Sequence, residues 1–224
     1  MSGQAPSQRL AAVLEMVGTN CGVLADIGTD HAHLPIAALR QGLCLRAIAT
    51  DIAAGPLSRA AENIAAAGFA GCIETRLGDG LSPLVAGEAS TIVITGMGGL
   101  RIRDMLARSL DAARQTQRLV LGPQHDIEKL RRGLHTMGYD IISERLVREG
   151  ERFYILLAAT PAAAGEIPAP WTAREYYMGR FLSNQPRWND FAKAEADKLA
   201  RYIQVGAQGQ QLMQYRQRME WLSQ

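Results

Sequence analysis

Short apolar runs alternate with amphipathic stretches along the first 160 residues of the chain. Apolar runs rich in β-branched side chains predict buried strands, whereas apolar positions that recur every three to four residues predict helices. Strands are predicted at 22–25, 45–51, 73–77, 90–96 and 118–121, and helices between them at about 34–41, 56–68, 99–110 and 126–137. This alternation of strand and helix predicts a doubly wound, Rossmann-like α/β sheet of mainly parallel strands.

Two further patterns flank these βα units. Residues 7–17 place their apolar side chains on one face, which predicts a helix before the first strand. Residues 139–147 and 152–159 are joined by a short polar turn and predict a terminal antiparallel hairpin. We expect Pro56 at the first position of its helix, because the fixed φ of proline suits that position.

The composition changes at residues 160–170, which are rich in proline and alanine. Such a segment is typical of a linker between domains. Beyond it the strand pattern ends, and helical patterns follow at 171–182, 187–205 and 210–222. The last helix has a coiled-coil spacing of apolar residues at Leu212, Tyr215, Met219 and Leu222. The sequence therefore predicts an α/β domain at 1–160 and a small, coiled-coil-like α-helical domain at 171–224.

The composition narrows the class of protein. The chain has 224 residues, of which 47% are hydrophobic, and this is enough to bury a core. Its apolar runs are far shorter than the about 20 residues of a membrane span, and its polar N-terminus lacks a signal-peptide core. We therefore expect a cytoplasmic protein with no membrane partner. Cys21, Cys44 and Cys72 lack metal-ligand spacing, so we expect them to pack as small hydrophobic residues and predict no metal site.

Charge is unevenly distributed around a net charge of +2. Residues 1–100 contain 5 Lys and Arg against 8 Asp and Glu, whereas residues 101–224 contain 19 against 14. A basic second half suits an anionic partner such as nucleic acid, and a solvated surface of mixed charge explains the excess about as well.

Carboxylates and glycines follow the predicted strands at the points where the strands end. Asp26 and Gly28 follow the first strand, Asp51 closes the second, and Asp79 lies between two glycines after the third. Residues 96–99 form a glycine-rich turn after the fourth strand, where a flat group could approach the backbone. Ligands of open α/β sheets bind beyond the carboxyl ends of the strands, so we expect a ligand site here.

The residue types at this edge favour one class of cofactor. Asp51 can accept hydrogen bonds from both hydroxyls of a ribose, and Asp79 can accept one from an adenine amino group or cap the next helix. Asp26 and Asp30 flank a single glycine, where a pyrophosphate would meet negative charge. The sequence also lacks a dinucleotide-binding glycine motif and a P-loop. S-adenosyl-L-methionine fits these carboxylates, because it carries a sulfonium and an ammonium group.

Four segments have more distinctive sequences: DIGTDHAHLP at 26–35, GP at 55–56, RLGDGL at 76–81 and TGMGG at 95–99. In order and spacing they resemble the bacterial tRNA (adenine-22) N1-methyltransferase family, the TrmK type, over about residues 7–160. The resemblance extends to a helical C-terminal piece. It implies a class I S-adenosyl-L-methionine-binding domain, a C-terminal helical domain that contacts tRNA, and methylation of N1 of an adenine in tRNA. Two segments depart from the family pattern, namely Gly122-Pro123-Gln124 and Tyr154-Ile155. Both departures bear on how the enzyme holds the target base.

Two groups of candidate site residues follow. The candidates for binding the cofactor are Asp26, Gly28, Asp51, Asp79, Gly80 and Thr95. The candidates for a role in catalysis are Asp30, His31, Gly96 and Met97. We expect Asp30 to stabilise the positive charge of the methylated base, with an N-cap of the following helix as its alternative role. A structural role is an equal alternative for His31 and is the expected one for His33.

The favoured function is methylation of an adenine in tRNA. Two alternatives stay open at this point. One is a methyltransferase that acts on a small molecule or a protein and uses its C-terminal helices for dimerisation. The other is a non-catalytic module that binds S-adenosyl-L-methionine or RNA.

Overall fold

The computed structural model describes residues 6–163, 166 and 168–223. Parts of the predicted polar N-terminus and of the predicted linker at 160–170 lie outside the described residues, namely 1–5, 164, 165 and 167. The strands are β1 (Cys21–Ile27), β2 (Cys44–Asp51), β3 (Ile73–Leu77), β4 (Thr91–Thr95), β5 (Arg118–Gly122), β6 (Tyr139–Glu149) and β7 (Arg152–Pro161). The helices are α1 (Gln8–Val17), α2 (His33–Arg40), α3 (Ala54–Ala66), α4 (Gly99–Arg108), α5 (Leu110–Arg114), α6 (Ile127–Thr136), α7 (Ala173–Met178), α8 (Trp188–Gln204) and α9 (Gly209–Leu222). None of these helices is long and apolar enough to cross a membrane.

The strands of the described residues form one sheet in the order β3-β2-β1-β4-β5-β7-β6. Strands β1 to β5 are parallel, and β7 is antiparallel to both β5 and β6. The predicted doubly wound fold is therefore confirmed, with its order reversing between β1 and β4, where such folds bind ligands. Ile27 on β1 pairs with Thr50 on β2 and with Ile94 on β4. The residues that follow these three strands consequently meet at one edge of the sheet.

Apolar strand residues pack against helices on both faces of the sheet. Leu24 and Val93 point to one face and belong to a buried cluster with residues of α1, α2 and α3. Ala25 and Ile92 point to the other face and pack with residues of α4 and α6. Because helices cover both faces, the central strands are apolar throughout, which explains why they could be recognised as uninterrupted runs.

Some helix boundaries differ from the prediction. α3 begins at Ala54, so Pro56 is its third residue and not its first, a position where its missing N–H still costs no helical bond. The single helix predicted at 99–110 is divided at Ser109 into α4 and α5. The first C-terminal helix, α7, is shorter than the predicted 171–182.

The helices that follow the hairpin begin within the main core. Trp171, Tyr176 and Leu182 belong to the same buried cluster as the residues of α4 and α6. α8 and α9 then pack side by side, with the rings of Tyr202 and Tyr215 5.7 Å apart. The predicted seam of α9 is half-buried at all its positions, namely Leu212, Tyr215, Met219 and Leu222. The division into domains at 1–160 and 171–224 stays a prediction.

Candidate active site

A cavity of about 530 Å³ lies at the carboxyl ends of β1 to β4, bordered by α1 and α4. The register of the sheet explains its position, since the turns after these strands converge at this edge. Most of the predicted site residues line it: Asp26, Gly28, Asp30, Asp51, Asp79, Gly80, Thr95, Gly96 and Met97. His31 is not part of the lining, whereas His33, expected to be structural, is.

Asp26 lies at the floor of the cavity and is only 5% exposed. Burial raises the pKa of its carboxyl group to about 6. The Oγ1 hydroxyl of Thr29 donates a hydrogen bond of 2.7 Å to Oδ2 and opposes this rise, while the nearby charge of Asp51 adds to it. At neutral pH the ionised form therefore predominates, and a positive group in the cavity would stabilise it further.

Gly28 brings the turns after β1 and β4 into contact. Its φ is +76°, and a Cβ at this position would lie 2.5 Å from Cε of Met97. The N–H groups of Gly28 and Thr29 both donate to the carbonyl oxygen of Thr50, which holds this turn against β2. The buried Oγ1 of Thr50 has no hydrogen-bond partner in the part of the chain that the structure describes.

Asp51 and Asp79 follow adjacent strands, β2 and β3. Oδ1 of Asp51 accepts the N–H of Ala53 at 2.9 Å, which fixes the orientation of the carboxylate at the end of its strand. Oδ2 of Asp79 lies 3.3 Å from Nη2 of Arg108, in a pair that is largely exposed. Gly80 has a φ of +60° and lies against the side chain of Met105.

Asp30 is at the mouth of the cavity, and its side chain is 63% exposed. Its φ is +50°, a left-handed conformation that asparagine and aspartate adopt more readily than most residues. It is not the N-cap of α2, because Ala32 occupies that position. Nε2 of His31 lies 3.5 Å from Oδ2 of Asp30, and its ring lies 5.5 Å from the ring of His33, so His31 is next to two residues of the lining.

The sequence prediction missed two arginines of the cavity, Arg9 on α1 and Arg101 on α4. The guanidinium of Arg9 lies 4.8 Å from the centre of the Tyr154 ring on β7. Within the described residues, neither arginine is held in an ion pair or a side-chain hydrogen bond. A cavity lined by carboxylates and these two cations suits a ligand that carries charges of both signs.

The described residues contain no group of three or more His, Cys, Asp and Glu side chains that could hold a metal ion. Cys21 and Cys44 are buried as predicted, whereas Cys72 is exposed and does not pack as expected. Cys72 lies in the turn before β3, and β3 is an edge strand of the sheet, so the side chain of Cys72 is left in solvent.

Residues 6–157 match a family described as a methyltransferase domain. The tRNA (adenine(22)-N(1))-methyltransferase of Bacillus subtilis is 34% identical in an alignment of 180 positions that covers 75% of each chain. The crystal structure of the B. subtilis m1A22 tRNA methyltransferase TrmK is similar with a TM-score of 0.81 at 29% identity, covering 98% of this chain and 97% of that one. Streptococcus pneumoniae Sp1610 in complex with S-adenosyl-L-methionine has a TM-score of 0.86 at 28% identity and 98% coverage of both chains. The chain therefore belongs to the TrmK type of bacterial tRNA (adenine-22) N1-methyltransferases.

Proposed function

We propose that this protein transfers a methyl group from S-adenosyl-L-methionine to N1 of adenine 22 of tRNA. The observation that carries this proposal is the convergence of Asp26, Asp51 and Asp79 with residues 95–97 of the glycine-rich turn in one cavity. The membership of the TrmK family gives the substrate. Because the substrate is tRNA, the protein is expected to work in the cytoplasm.

The donor set of the cavity fits this cofactor, which when bound supplies a methyl group on a positively charged sulfur. Asp51, fixed by the N–H of Ala53, would accept hydrogen bonds from the ribose hydroxyls. Asp79 would accept a bond from the adenine amino group. Asp26 is already ionised at neutral pH and is the buried carboxylate next to the first turn, so it would face the positive end of the cofactor.

The carboxylate of the cofactor needs a cation, and the cavity offers Arg9 and Arg101. Arg101 lies one helical turn before Met105, whose side chain packs on Gly80, so Arg101 belongs to the Asp79 side of the cavity. Arg9 lies towards β7, on the opposite side. With adenine at β3 and ribose at β2, the amino-acid end of the cofactor points away from Arg101. We therefore assign the carboxylate to Arg9.

Exposed cations on the C-terminal helices suit the phosphates of tRNA. Lys193, Arg201 and Arg216 are exposed, and no carboxylate of the described residues forms an ion pair with them. Arg180, Lys198 and Arg218 are instead paired with Glu175, Glu195 and Glu128. Unpaired surface cations are free to neutralise phosphates, which is the main source of affinity for nucleic acids.

A labelling experiment tests the function. Purified protein is incubated with methyl-labelled cofactor and an unmodified tRNA transcript, and the modified position is mapped by primer extension, because a methyl on N1 blocks the Watson–Crick edge. We expect label in the tRNA and a stop at the target adenine. A transcript with guanine in place of that adenine is the matched control and should take up no label there. Label in a protein or a small molecule, or none at all, would contradict the proposal.

A further inference from the structure

A second cavity, of about 440 Å³, lies between the end of β5 and the three C-terminal helices. Gln124 and His125 line it next to the sheet, and Phe153 lines it at the start of β7. Tyr177 of α7 and Phe191 of α8 form its other side, together with residues of α9. None of these side chains has a role in the proposed cofactor site. The cavity opens on the same edge of the sheet, because β7 starts where β5 ends.

The two cavities lie on either side of the glycine turn after β4. The N–H of Gln124 donates to the carbonyl oxygen of Met97 at 2.9 Å, and the N–H of Gly99 donates to that of His125 at 2.8 Å. The imidazole of His125 lies so close to Gly98 that a Cβ there would come within 2.8 Å of Nε2. Met97 lines the first cavity and His125 the second. The wall between them is therefore a single turn of backbone.

The second cavity offers aromatic surfaces and polar groups of fixed orientation. The rings of Phe153 and Phe191 are 5.7 Å apart in an edge-to-face arrangement. Nδ1 of His125 lies 2.8 Å from Oδ2 of Asp126, which orients the imidazole ring. The exposed amide of Gln124 adds a donor and an acceptor next to it.

The charges that line the second cavity are already matched. Lys129, Lys198 and Arg218 contact Asp126, Glu195 and Glu128 at 2.9, 3.1 and 2.7 Å, and the buried Arg131 contacts Glu144 at 2.7 Å. Among the described residues, no lining cation is thus left over for a free phosphate. The lining favours a flat, neutral heterocycle with hydrogen-bonding edges.

We propose that the second cavity binds an unstacked nucleobase of the substrate RNA, with Phe153 and Phe191 as stacking surfaces and Gln124 and His125 as hydrogen-bonding groups. This inference rests on the proposed function. Proteins read single-stranded RNA by stacking splayed bases on aromatic side chains and by hydrogen bonds to the base edges. Access to N1 of the target adenine requires that this base is unpaired, so the RNA strand next to the glycine turn is already open. Because the glycine turn separates this cavity from the cofactor site, the base that it holds is one that flanks the target adenine.

The test measures tRNA affinity of the full-length protein in the presence of S-adenosyl-L-homocysteine, which prevents turnover. Phe153→Leu removes one stacking surface and should raise the Kd for tRNA about 5- to 100-fold. Gln124→Ala, at an exposed position where folding is not at risk, should raise it by a smaller factor. The dependence of log Kd on log salt should keep its slope, because a neutral base releases no counterions when it binds. Affinity for the cofactor product should stay unchanged.

Phe181→Leu is the matched control, since Phe181 is 38% exposed in the same part of the chain, contacts Trp171 edge-to-face and does not line the cavity. Three results would overturn the proposal. These are equal losses of tRNA affinity in Phe153→Leu and Phe181→Leu, unchanged tRNA affinity in both Phe153→Leu and Gln124→Ala, or a reduced salt slope. Wild-type protein that fails to label tRNA would instead refute the proposed function, so the two failures are distinguishable.

Abasic substitution then identifies the base. In a transcript that lacks the base bound by the second cavity, Phe153→Leu should carry no further penalty in affinity. The penalty should disappear for a transcript that is abasic at a position flanking the target adenine and persist for the transcript that is abasic at the target adenine itself. A penalty that persists in all of these transcripts would overturn the assignment of a base to this cavity.

Discussion

Nη2 of Arg131 lies 2.7 Å from Oε1 of Glu144, and neither side chain has any exposed surface. Nη1 of Arg131 also donates to the carbonyl oxygens of Tyr176 and Tyr177 at the end of α7, and Oε2 of Glu144 accepts the N–H of Phe181. One buried ion pair thus fastens the first C-terminal helix to α6 and β6.

Removal of one partner should be costly, because the other charge would stay buried without compensation. We expect Glu144→Ala to lower the free energy of unfolding by about 3–5 kcal/mol, measured by urea denaturation. Glu15→Ala is the control, since Glu15 and Arg145 form an exposed pair of 2.6 Å that is worth less than about 1 kcal/mol. A loss of similar size in both variants would contradict the role of burial.

Asp26 should make the stability of the ligand-free protein depend on pH. Its folded-state pKa of about 6 lies above the usual value of 3.8, so the folded state binds the proton more tightly than the unfolded chain does. The stabilisation from this group is fully present below about pH 4 and is lost as the pH rises through about 6. Asp26→Asn should therefore gain stability relative to wild type between pH 4 and pH 7, by about 3 kcal/mol at most. Urea unfolding across this range gives the difference, and a difference that does not vary with pH would contradict the prediction.

Arg9 should bind the carboxylate of the cofactor. We expect Arg9→Met to weaken S-adenosyl-L-methionine binding about 10- to 100-fold in calorimetric titrations, the loss of one charge-assisted bond of about 1.5–3 kcal/mol. Methylthioadenosine lacks the amino-acid end, so its affinity should be unchanged. Arg101→Met removes the other cation of the cavity and should leave the ratio of the two affinities as in wild type. Equal weakening of both ligands by Arg9→Met would place Arg9 elsewhere in the site.

The sequence predicted the strands and the strand-end residues because both depend on local patterns. A parallel strand covered on both faces must be apolar, and its carboxyl end must meet those of its neighbours. The convergence of Asp26, Asp51 and Asp79 could therefore be predicted from the positions of these residues along the chain alone.

The missed residues depend on contacts between distant parts of the chain. Arg9 is positioned by Tyr154, and Arg131, which lies in a helix that carries many charges, is buried only because Glu144 and the end of α7 surround it. Three helix starts were predicted to within one residue and not exactly, for a different reason. Ala32, Asp126 and Arg187 precede α2, α6 and α8 in the left-handed conformation, which alanine and arginine do not reveal in a sequence.

The C-terminal helices should hold tRNA through its phosphates. Lys193→Gln combined with Arg201→Gln on α8 should weaken tRNA binding and reduce the magnitude of the log–log salt slope by about 0.7–0.9 for each phosphate that is no longer neutralised. Arg40→Gln removes one exposed positive charge at the end of α2, away from the C-terminal helices, and serves as the control. Filter binding at several salt concentrations measures both quantities. An unchanged slope in the double variant would assign another purpose to α8, such as self-association.

Asp30 should act on the target base and not on the cofactor. N1 of neutral adenine carries an in-plane lone pair, so no strong base is needed to create the nucleophile. Position matters more, since alignment of the reactants can supply about 7–11 kcal/mol of the barrier. Methylation leaves the ring positively charged, and a carboxylate nearby stabilises that charge as it develops. Asp30 is at the mouth of the cavity and is 63% exposed, so it can reach a base that enters from solvent.

We therefore expect Asp30→Asn to lower kcat about ten- to a thousandfold, the range for removal of one electrostatic group, while cofactor affinity changes little. Single-turnover methylation of tRNA measures the first quantity and calorimetry the second. His31→Gln is the matched control: because His31 lies outside the cavity lining and contacts Asp30 at 3.5 Å, its loss should have a smaller effect on turnover. Full activity of Asp30→Asn would exclude the role in charge stabilisation. An equal loss of cofactor affinity would move Asp30 into the cofactor site, beside Asp26.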